Sequence, residues 1–265
     1  MGLSKERRRL LDRLRNPRQR GREGLFLVEG IRGAGEFLRA TVPMEIRFAL
    51  VSPRLLELGG GPDLNSELLG RKVPVEEMEE GELEALSDTE ASQGILLVVR
   101  EPETSWPLQG DPRLRLLLLD GIQDPGNLGT LLRTARAFGV DGVVALDGTA
   151  DPWSPKAVRG GAGASAHVPV WRSAWPEARD WLRGQDMPIL VADAVGRDVR
   201  EAPSSGSWAL VLGNEGAGVR QEIRDEAQEV LSIPMAEGVE SLNVAMAGAI
   251  LLFSLSPETE PHGKA

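Results

Sequence analysis

Three segments in the C-terminal half combine glycine and asparagine with charged residues, each close to an apolar stretch. They read DGIQDPGNLGTLLRTARAFG at 120–139, GNEGAGV at 213–219 and IPMAEGVESLNVAMAGA at 233–249. Glycine lets a ligand approach the backbone closely, because it has no side chain. Asparagine, glutamate and arginine can hydrogen-bond a polar ligand and orient it. These segments are therefore the candidates for a binding and catalytic site.

Several kinds of chemistry are excluded by composition. The chain has no cysteine, which removes disulfides, thiolate nucleophiles and cysteine-ligated zinc. Its two histidines, His167 and His262, are too few for a histidine metal site or a catalytic triad. His167 lies among small and apolar neighbours, so we interpret it as structural. No metal is expected.

Familiar nucleotide-binding motifs are also missing. The glycines of 213–219 have the order G-x-x-G-x-G rather than G-x-G-x-x-G, and the glycine-rich run at 160–164 does not directly follow a strand. No P-loop motif is present. A cofactor with a cradled pyrophosphate is thus disfavoured, which weakens the alternative of a nucleotide-dependent oxidoreductase.

The elements that position these segments follow an alternating pattern. Apolar runs of strand length recur at LRLLLL (114–119), GVVAL (142–146), HVPV (167–170), PILVADA (188–194), WALVLG (208–213) and VLSIP (230–234). Helical patterns lie between most of them. Continuous apolar strands of this kind are typical of a parallel sheet covered on both faces, which binds ligands beyond the carboxyl ends of its strands.

Two helices are predicted at the candidate site. The first has apolar residues at helical spacing, namely Leu128, Leu131, Leu132 and Ala135. We expect Asn127 to cap its start and Gly139 to end it. The last helix, at 242–255, is apolar on every side, so we expect it to be buried, with Ser241 as its cap.

The N-terminal region has the pattern of a separate small α/β domain, at 1–100. We predict a basic helix at about 4–15, strands at 25–28, 46–52 and 94–99, a strand-like KVPVEEM, and helices at 31–40 and 81–87, with a polar, glycine-rich loop after the second strand. A proline-rich linker at 101–113 separates it from a C-terminal domain at 114–256. A polar tail follows at 257–265.

Charge is unevenly distributed along the chain. The net charge is −10, but eleven basic and five acidic residues give the first 40 residues +6. A local basic patch attracts phosphates regardless of the total charge. The candidates for RNA contact are the N-terminal arginines Arg7, Arg8, Arg9, Arg18, Arg20 and Arg22. An arginine-rich helix that merely faces solvent is the alternative.

The three C-terminal segments, in this order and spacing, resemble the signature motifs of the SpoU (TrmH-like) family of RNA 2′-O-ribose methyltransferases, in the SPOUT superfamily. The matching elements are Asn127, Gly129 and Arg133 in N-x-G-x-x-x-R, LGNEGAG at 212–218, and IPM…ESLNVAMA at 233–247. The N-terminal region resembles the substrate-binding domain of ribosomal-protein-L30e type, on VEGIR (28–32) and SQGIL (92–96).

This resemblance implies an α/β methyltransferase domain with a deep trefoil knot, S-adenosylmethionine as cofactor, and a homodimer with each active site at the subunit interface. We place the last helix at that interface. The cofactor pocket would be lined by Leu212, Gly213, Gly216, Ile233, Pro234, Met235 and Leu242. The catalytic group would comprise Asn127, Arg133, Glu215, Ser241 and Asn243.

Roles within this group follow from side-chain chemistry. A guanidinium has a pKa above about 12 and is a poor base, so we expect Arg133 to position phosphate and ribose. We expect Asn127 to orient the 2′-hydroxyl and Glu215 to accept a hydrogen bond from Asn127 or to hold two loops together. One departure from the family pattern, Gly160 and Gly161 where a serine-containing run is common, affects only how that loop meets the substrate.

The predicted function is transfer of a methyl group to a ribose 2′-hydroxyl, with 23S ribosomal RNA as first choice and transfer RNA as the alternative. A non-catalytic RNA-binding or ribosome-assembly protein on the same fold is the rival from another class. Because the sequence has neither a secretory signal nor an apolar run long enough to span a bilayer, we expect a cytoplasmic protein without membrane contact.

Overall fold

The structure is a computed structural model that describes residues 3–87, 92–103, 113–202, 206–239 and 241–256. Over these residues the chain forms two compact units, Met1–Glu103 together with Asp151–His167, and Thr104–Ala150 together with Val168–Ala265. Residues 151–167 thus pack with the first unit, although they lie within the predicted methyltransferase domain. Most of the predicted linker and all of the predicted polar tail lie outside the described residues.

Eleven α-helices and ten strands are assigned within the described residues. The helices are α1 (Lys5–Arg15), α2 (Pro17–Glu23), α3 (Ile31–Leu38), α4 (Arg54–Glu57), α5 (Gly61–Gly70), α6 (Glu80–Leu86), α7 (Pro125–Ala137), α8 (Pro155–Gly161), α9 (Trp175–Gly184), α10 (Gln221–Arg224) and α11 (Val244–Leu255). The strands are β1 (Leu25–Glu29), β2 (Ile46–Val51), β3 (Val75–Glu77), β4 (Ile95–Arg100), β5 (Arg115–Asp120), β6 (Gly142–Leu146), β7 (Val170–Ser173), β8 (Ile189–Asp198), β9 (Trp208–Gly213) and β10 (Glu229–Ser232). None of these helices is long and apolar enough to cross a membrane.

The first unit is built on a four-stranded sheet in the order β1-β4-β2-β3. β4 runs antiparallel to β1 and β2, and β3 runs parallel to β2. The apolar face of α1 covers this sheet, because Leu11 and Leu14 join the same buried cluster as Leu27, Leu50 and Val98. The small α/β domain predicted at the N-terminus is therefore present.

Two stretches of the first unit are more helical than expected. The predicted glycine-rich loop after β2 is wrong, because this stretch forms α4 and α5. In α5, Pro62 occupies the first turn, where a missing N–H costs nothing, and Leu64 and Leu68 bury one face at i, i+4 spacing. The sequence analysis also missed α2, which Asn16 caps by accepting hydrogen bonds from two backbone N–H groups.

Residues 151–167 are held in the first unit by packing and by polar bonds. The ring of Trp153 stacks on Phe26 with the centroids 4.6 Å apart. At the end of the segment, Nε2 of His167 lies 2.9 Å from a carboxylate oxygen of Glu36. His167 is thus a structural residue of this unit, as its sequence context predicts.

The second unit contains a six-stranded, entirely parallel sheet in the order β10-β8-β9-β5-β6-β7. The central strands are buried on both faces, with every residue of Leu116–Leu119 inaccessible to solvent. The predicted parallel α/β sheet is confirmed. One strand is shifted: β7 covers 170–173 rather than 167–170, because residues 164–166 form a turn of 3-10 helix in the first unit instead.

The two predicted helices exist, but both caps differ from the expectation. Asp124 caps α7, since its side chain accepts from the N–H groups of Gly126 and Asn127. Asn127 is therefore the third helical residue and its amide is available for other bonds. Asn243, rather than Ser241, caps α11 through the N–H groups of residues 245 and 246.

The last helix is also less buried in a single chain than we expected. Its inner face is buried through residues such as Leu251 and Leu255. On its outer face, however, Met246 is 63% and Phe253 68% exposed, with the partly exposed Ile250 between them. These residues follow one another at helical spacing, so α11 presents an apolar stripe to the outside of the single chain.

Candidate active site

The site is built where β5 and β9 end side by side in the second unit. Asp120, the last residue of β5, is only 2% exposed. It accepts a hydrogen bond of 2.8 Å from the backbone N–H of Arg220 and one of 2.6 Å from its guanidinium Nε. This buried charge is thus fully engaged, and it holds the segment after β9 against the end of β5.

The loop after β9 is a tight turn closed by Asn214. Its Nδ2 donates to the carbonyl of Gly121 at 2.8 Å, and its Oδ1 accepts from the N–H groups of Gly216 and Ala217 at 3.0 and 2.9 Å. Gly213 must be glycine here, because a Cβ at this position would lie 2.2 Å from the carbonyl carbon of Gly218. The close backbone approach expected of these glycines is therefore real.

One chain of hydrogen bonds joins the three predicted motifs. Nδ2 of Asn243 donates to Oδ1 of Asn127 at 3.1 Å. Nδ2 of Asn127 donates to Oε1 of Glu215 at 3.0 Å, as the sequence predicts. The other carboxylate oxygen of Glu215 accepts from the N–H of Gln123 at 3.4 Å. Residues more than 80 positions apart are thereby held in one network.

Glu215 is ionised in this network. Its partial burial favours the neutral form, but hydrogen bonds from the amide of Asn127 and from backbone N–H groups outweigh that effect and lower the pKa below its ordinary value of 4.5. At neutral pH Glu215 therefore acts only as an acceptor, and it determines which way the Asn127 amide is turned.

A cavity of about 380 Å³ lies next to the network, between the middle of β8, the ends of β9 and β10, and the first half of α11. Small-molecule pockets typically measure about 300–1,000 Å³. Six of the seven predicted cofactor residues line it, namely Leu212, Gly213, Gly216, Ile233, Met235 and Leu242. Pro234 does not. Glu215 and Ser241, predicted as catalytic, line the cavity as well.

Sequence reasoning missed the contribution of β8 to this cavity. Ala192, Asp193 and Ala194 line it from that strand. Burial favours the neutral form of Asp193, but the ion pair with Arg224 and the N–H of Val195 outweigh it and lower the pKa of the carboxyl. The signal was present, since VADA stands at the carboxyl end of a predicted parallel strand.

Arg133 stands apart from the cavity and from the network. It is exposed on α7, does not line the cavity, and forms no hydrogen bond or ion pair within the described part of the chain. Asn127, Glu215, Ser241 and Asn243 are therefore brought together by the fold of one chain, whereas Arg133 is not. No group of three or more histidine or acidic side chains among the described residues is placed to hold a metal ion.

The predicted RNA-contacting arginines fall into two groups. Arg20 was wrongly included: its side chain is 1% exposed and donates to Asp151 and to the carbonyl of Leu14, both at 2.8 Å. The other five are at least partly exposed, and of these Arg7 and Arg8 pair with Glu76 and Glu82. The remaining three have no partner among the described residues, namely Arg9, Arg18 and Arg22.

The fold and the site together define a class of protein. An all-parallel sheet, a cavity at the carboxyl ends of its strands, and a glycine turn tied to the start of the last helix are the features expected of a SPOUT-type methyltransferase.

Comparisons with known proteins identify the family. The model of the SpoU rRNA Methylase family matches residues 115–253, and that of the MRM3-like substrate binding domain matches residues 5–97. The 23S rRNA (guanosine(2553)-2′-O)-methyltransferase RlmP of Bacillus subtilis is 34% identical over 249 residues, which cover 92% of this chain and 93% of that protein. This chain belongs to the SpoU rRNA methylase family, and the family predicted from the three motifs is confirmed.

Solved structures agree with this assignment. A putative RNA methyltransferase of the TrmH family from Porphyromonas gingivalis superposes with a TM-score of 0.81 at 32% identity, over 97% of this chain and 99% of that one. The SpoU methyltransferase AviRb from Streptomyces viridochromogenes, solved with S-adenosylmethionine, gives 0.83 at 27% identity, over 96% and 97%. The predicted fold class is confirmed, while the trefoil knot stays a prediction.

Proposed function

We propose that this chain transfers a methyl group from S-adenosylmethionine to a ribose 2′-hydroxyl of 23S ribosomal RNA. One observation carries the proposal: Glu215 belongs both to the wall of the 380 Å³ cavity and to the hydrogen-bond chain with Asn127 and Asn243. Glu215 can thus contact a bound cofactor and, through Asn127, fix the position of a polar group of the substrate. The name of the Bacillus relative supports 23S RNA as substrate.

The cavity has the chemistry that this cofactor requires. Its apolar wall, formed by Leu212, Ile233 and Leu242 among others, suits an adenine ring. Glycine at 213 leaves backbone in close approach, where a Cβ would collide with the opposite strand of the turn. The ionised carboxyl of Glu215, which has no cationic partner in the network, suits a ligand with positive charge. When bound, S-adenosylmethionine supplies a methyl group activated by a sulfonium.

Asn127 is the residue that we assign to the ribose hydroxyl. An amide has two donor hydrogens and two acceptor lone pairs. Glu215 uses one of the hydrogens and Asn243 one of the lone pairs, so one donor and one acceptor of Asn127 stay available. Because both ends are anchored, this amide is held in position before the substrate arrives, which favours a near-attack alignment of the hydroxyl. We assign Ser241 to the substrate side of the cavity.

A homodimer through α11 accounts for two otherwise unexplained features. The first is the apolar stripe of Met246, Ile250 and Phe253, which a partner subunit would cover. The second is Arg133, which does not reach the cavity of its own chain. A ribose site at the subunit interface would give Arg133 its role of positioning phosphate and ribose. With ribosomal RNA as substrate, the cytoplasm is the expected compartment.

Replacing Met246 by glutamate tests the dimer. A charge buried in an apolar interface costs several kcal/mol, so the variant should sediment as a monomer at concentrations at which the wild type is a dimer. Replacing the exposed Leu69 of the first unit by glutamate is the control and should leave the mass unchanged. A wild type that is monomeric at micromolar concentration would refute this arrangement.

The methylation itself is tested by transfer of labelled methyl from S-adenosylmethionine to unmodified 23S RNA and, separately, to unmodified transfer RNA. Label in an alkali-resistant, ribose-methylated dinucleotide from the 23S pool is the expected result. Label only in transfer RNA would keep the reaction and correct the substrate. No label in either pool, together with no calorimetric signal for the cofactor, would favour the non-catalytic RNA-binding alternative.

A further inference from the structure

A second cavity, of about 280 Å³, lies within the first unit between β1, the start of α3, β4 and α8. We call it the α3–α8 cavity and define it by Val28, Arg32, Gln93, Ile95, Val158 and Arg159. Arg32 lies in the part of the chain matched by the substrate-binding family, whereas Arg159 lies in the part matched by the methylase family. The packing of residues 151–167 with the first unit is what brings the two arginines to one cavity.

Arg32 and Arg159 differ from most arginines of this unit. Both are exposed, and neither forms a hydrogen bond or an ion pair with the rest of the chain as described. By contrast, most arginines of the unit have a carboxylate partner, as do Arg7, Arg8, Arg13, Arg20, Arg39, Arg47, Arg54, Arg71 and Arg100. Two unneutralised guanidinium groups at one cavity therefore form a local positive site in an acidic protein.

The acidic residue of the cavity does not cancel both charges. Glu29 lines the cavity and accepts a hydrogen bond of 2.8 Å from the hydroxyl of Ser87. Among the described residues that line the cavity, two guanidinium groups and one carboxylate give a net positive charge.

The base of the cavity is apolar and its rim offers a hydrogen-bond donor. Val28, Ile95 and Val158 are buried beneath the cavity. Oε1 of Gln93 accepts from the N–H of Ile31 at 2.7 Å, which anchors the side chain and leaves its Nε2 as a donor without a partner in the described structure. Gly30 leaves room for this arrangement, because a Cβ at its φ of +84° would lie 2.9 Å from Oε1 of Gln93.

We propose that the α3–α8 cavity binds one unpaired nucleotide of the substrate RNA. Proteins recognise RNA mainly at unstacked bases, which pack on apolar or guanidinium surfaces and are hydrogen-bonded at their edges. Here Gln93 supplies a donor, and Arg32 and Arg159 supply the planar cations that match phosphate or stack on a base. This inference rests on the proposed function, since it places part of the same RNA substrate.

Another cavity of the same unit shows the opposite character. It measures about 550 Å³ and is rimmed by Glu77, Glu79 and Glu82. Carboxylates in that number would repel a phosphate backbone, so size alone does not identify the RNA site. The distribution of charge favours the α3–α8 cavity.

The test is a double substitution, Arg32→Ala with Arg159→Ala, in the full-length chain. We expect affinity for a fragment of unmodified 23S RNA to fall about tenfold for each arginine, and the slope of log affinity against log salt concentration to fall by about 1 for each lost phosphate contact. The KM for RNA should rise, while cofactor affinity and the methylation rate at saturating RNA stay unchanged. Arg47→Ala with Arg71→Ala is the matched control, because it removes the same charge from paired surface arginines of the same unit.

Each outcome decides the proposal. Wild-type RNA affinity in the Arg32, Arg159 variant would refute it, and so would an equal loss in the control variant, which would indicate charge in general. Arg32→Lys with Arg159→Lys keeps the charge but not the planar fork, so a loss of affinity there, with an unchanged melting temperature, supports direct contact rather than misfolding. Because binding is read independently of methyl transfer, a chain without activity that still loses RNA affinity on substitution would separate this inference from the proposed function.

Discussion

The methyltransferase cavity and the α3–α8 cavity differ in how their polar side chains are bonded. At the 380 Å³ cavity of the second unit, amides and carboxylates are tied to one another, as Asn243, Asn127 and Glu215 show. At the α3–α8 cavity of the first unit, Arg32 and Arg159 have no partner in the described structure. Methyl transfer requires atoms aligned within a fraction of an ångström, whereas capture of a charged, flexible RNA benefits from long side chains that can adapt. The bonded amides and carboxylates at one cavity and the unbonded arginines at the other fit these two tasks.

Arg133 is an exception in the second unit, because it belongs to one of the three predicted motifs but its side chain forms no hydrogen bond or ion pair among the described residues. We expect Arg133→Ala to lower the rate of methyl transfer by at least about 100-fold, as misplacement of a reacting group does. Calorimetry should show S-adenosylmethionine binding unchanged. Arg183→Ala, which removes an exposed arginine paired with Glu226, is the control. Wild-type turnover in the Arg133 variant would remove this residue from the site.

Gly213→Ala tests how rigid the methyltransferase cavity must be. The new Cβ would lie 2.2 Å from backbone of Gly218, so the turn has to open. Overpacking of this kind costs about 1–3 kcal/mol, and we expect a loss of cofactor affinity of about 10- to 100-fold in calorimetry. Gly216→Ala serves as the comparison, since its nearest neighbour would be at 3.6 Å. Equal affinity in the two variants would show that the turn adapts.

Arg20 is the opposite case in the first unit, because this arginine is buried and ion-paired, unlike Arg32 and Arg159. Breaking a buried ion pair by removing one partner costs about 3–5 kcal/mol, so Arg20→Ala should destabilise the protein by about 3 kcal/mol, since Asp151 is partly exposed. Arg8→Ala, which removes an exposed pair with Glu82, should cost less than about 1 kcal/mol. Denaturant unfolding measures both, and similar losses would mean that Arg20 is not structural.

The smallest effect concerns the ionisation of Glu215. Because its pKa is lowered in the folded protein, ionisation stabilises the fold fully above the ordinary value of 4.5, and this contribution is lost as the pH falls through the lowered pKa. Glu215→Gln removes this dependence. The melting temperature of the wild type relative to the variant should therefore decrease from pH 6 to pH 3. A difference that is constant with pH would show that Glu215 gains nothing from its hydrogen bonds.

Local patterns predicted much of this molecule. The parallel sheet followed from runs such as Leu116–Leu119, because a strand covered on both faces must be apolar throughout. The sequence was enough to name Asn127, Glu215 and Asn243 as residues of one site, but it did not identify the residues that cap helices α7 and α11. Asp124 and Asn243 start the two helices because of backbone geometry a few residues away from where the apolar pattern begins.

Sequence-based predictions of burial were wrong where contacts between distant parts of the chain determine it. Arg20 has the same sequence character as Arg18 and Arg22, and only the position of Asp151, 131 residues away, makes it a buried structural residue. The uniform apolar character of α11 did not indicate which of its faces would stay exposed in a single chain. Whether a residue is buried depends on which distant segments pack against it, and the residues next to it in the sequence do not contain that information.

The sequence by itself determined the family, because the family motifs are residue types at fixed spacing around loops that end parallel strands. Through that resemblance it also gave the methyl donor and part of the cavity wall, including Leu212, Gly213 and Ile233. Beyond the predicted bond of Asn127 to Glu215, only the tertiary structure decided the polar contacts. It joined Asn243 to Asn127, and it moved residues 151–167 into the first unit, where Arg159 lies across a cavity from Arg32. Hydrogen bonds and ion pairs act over a few ångströms, so their partners are set by the path of the folded chain.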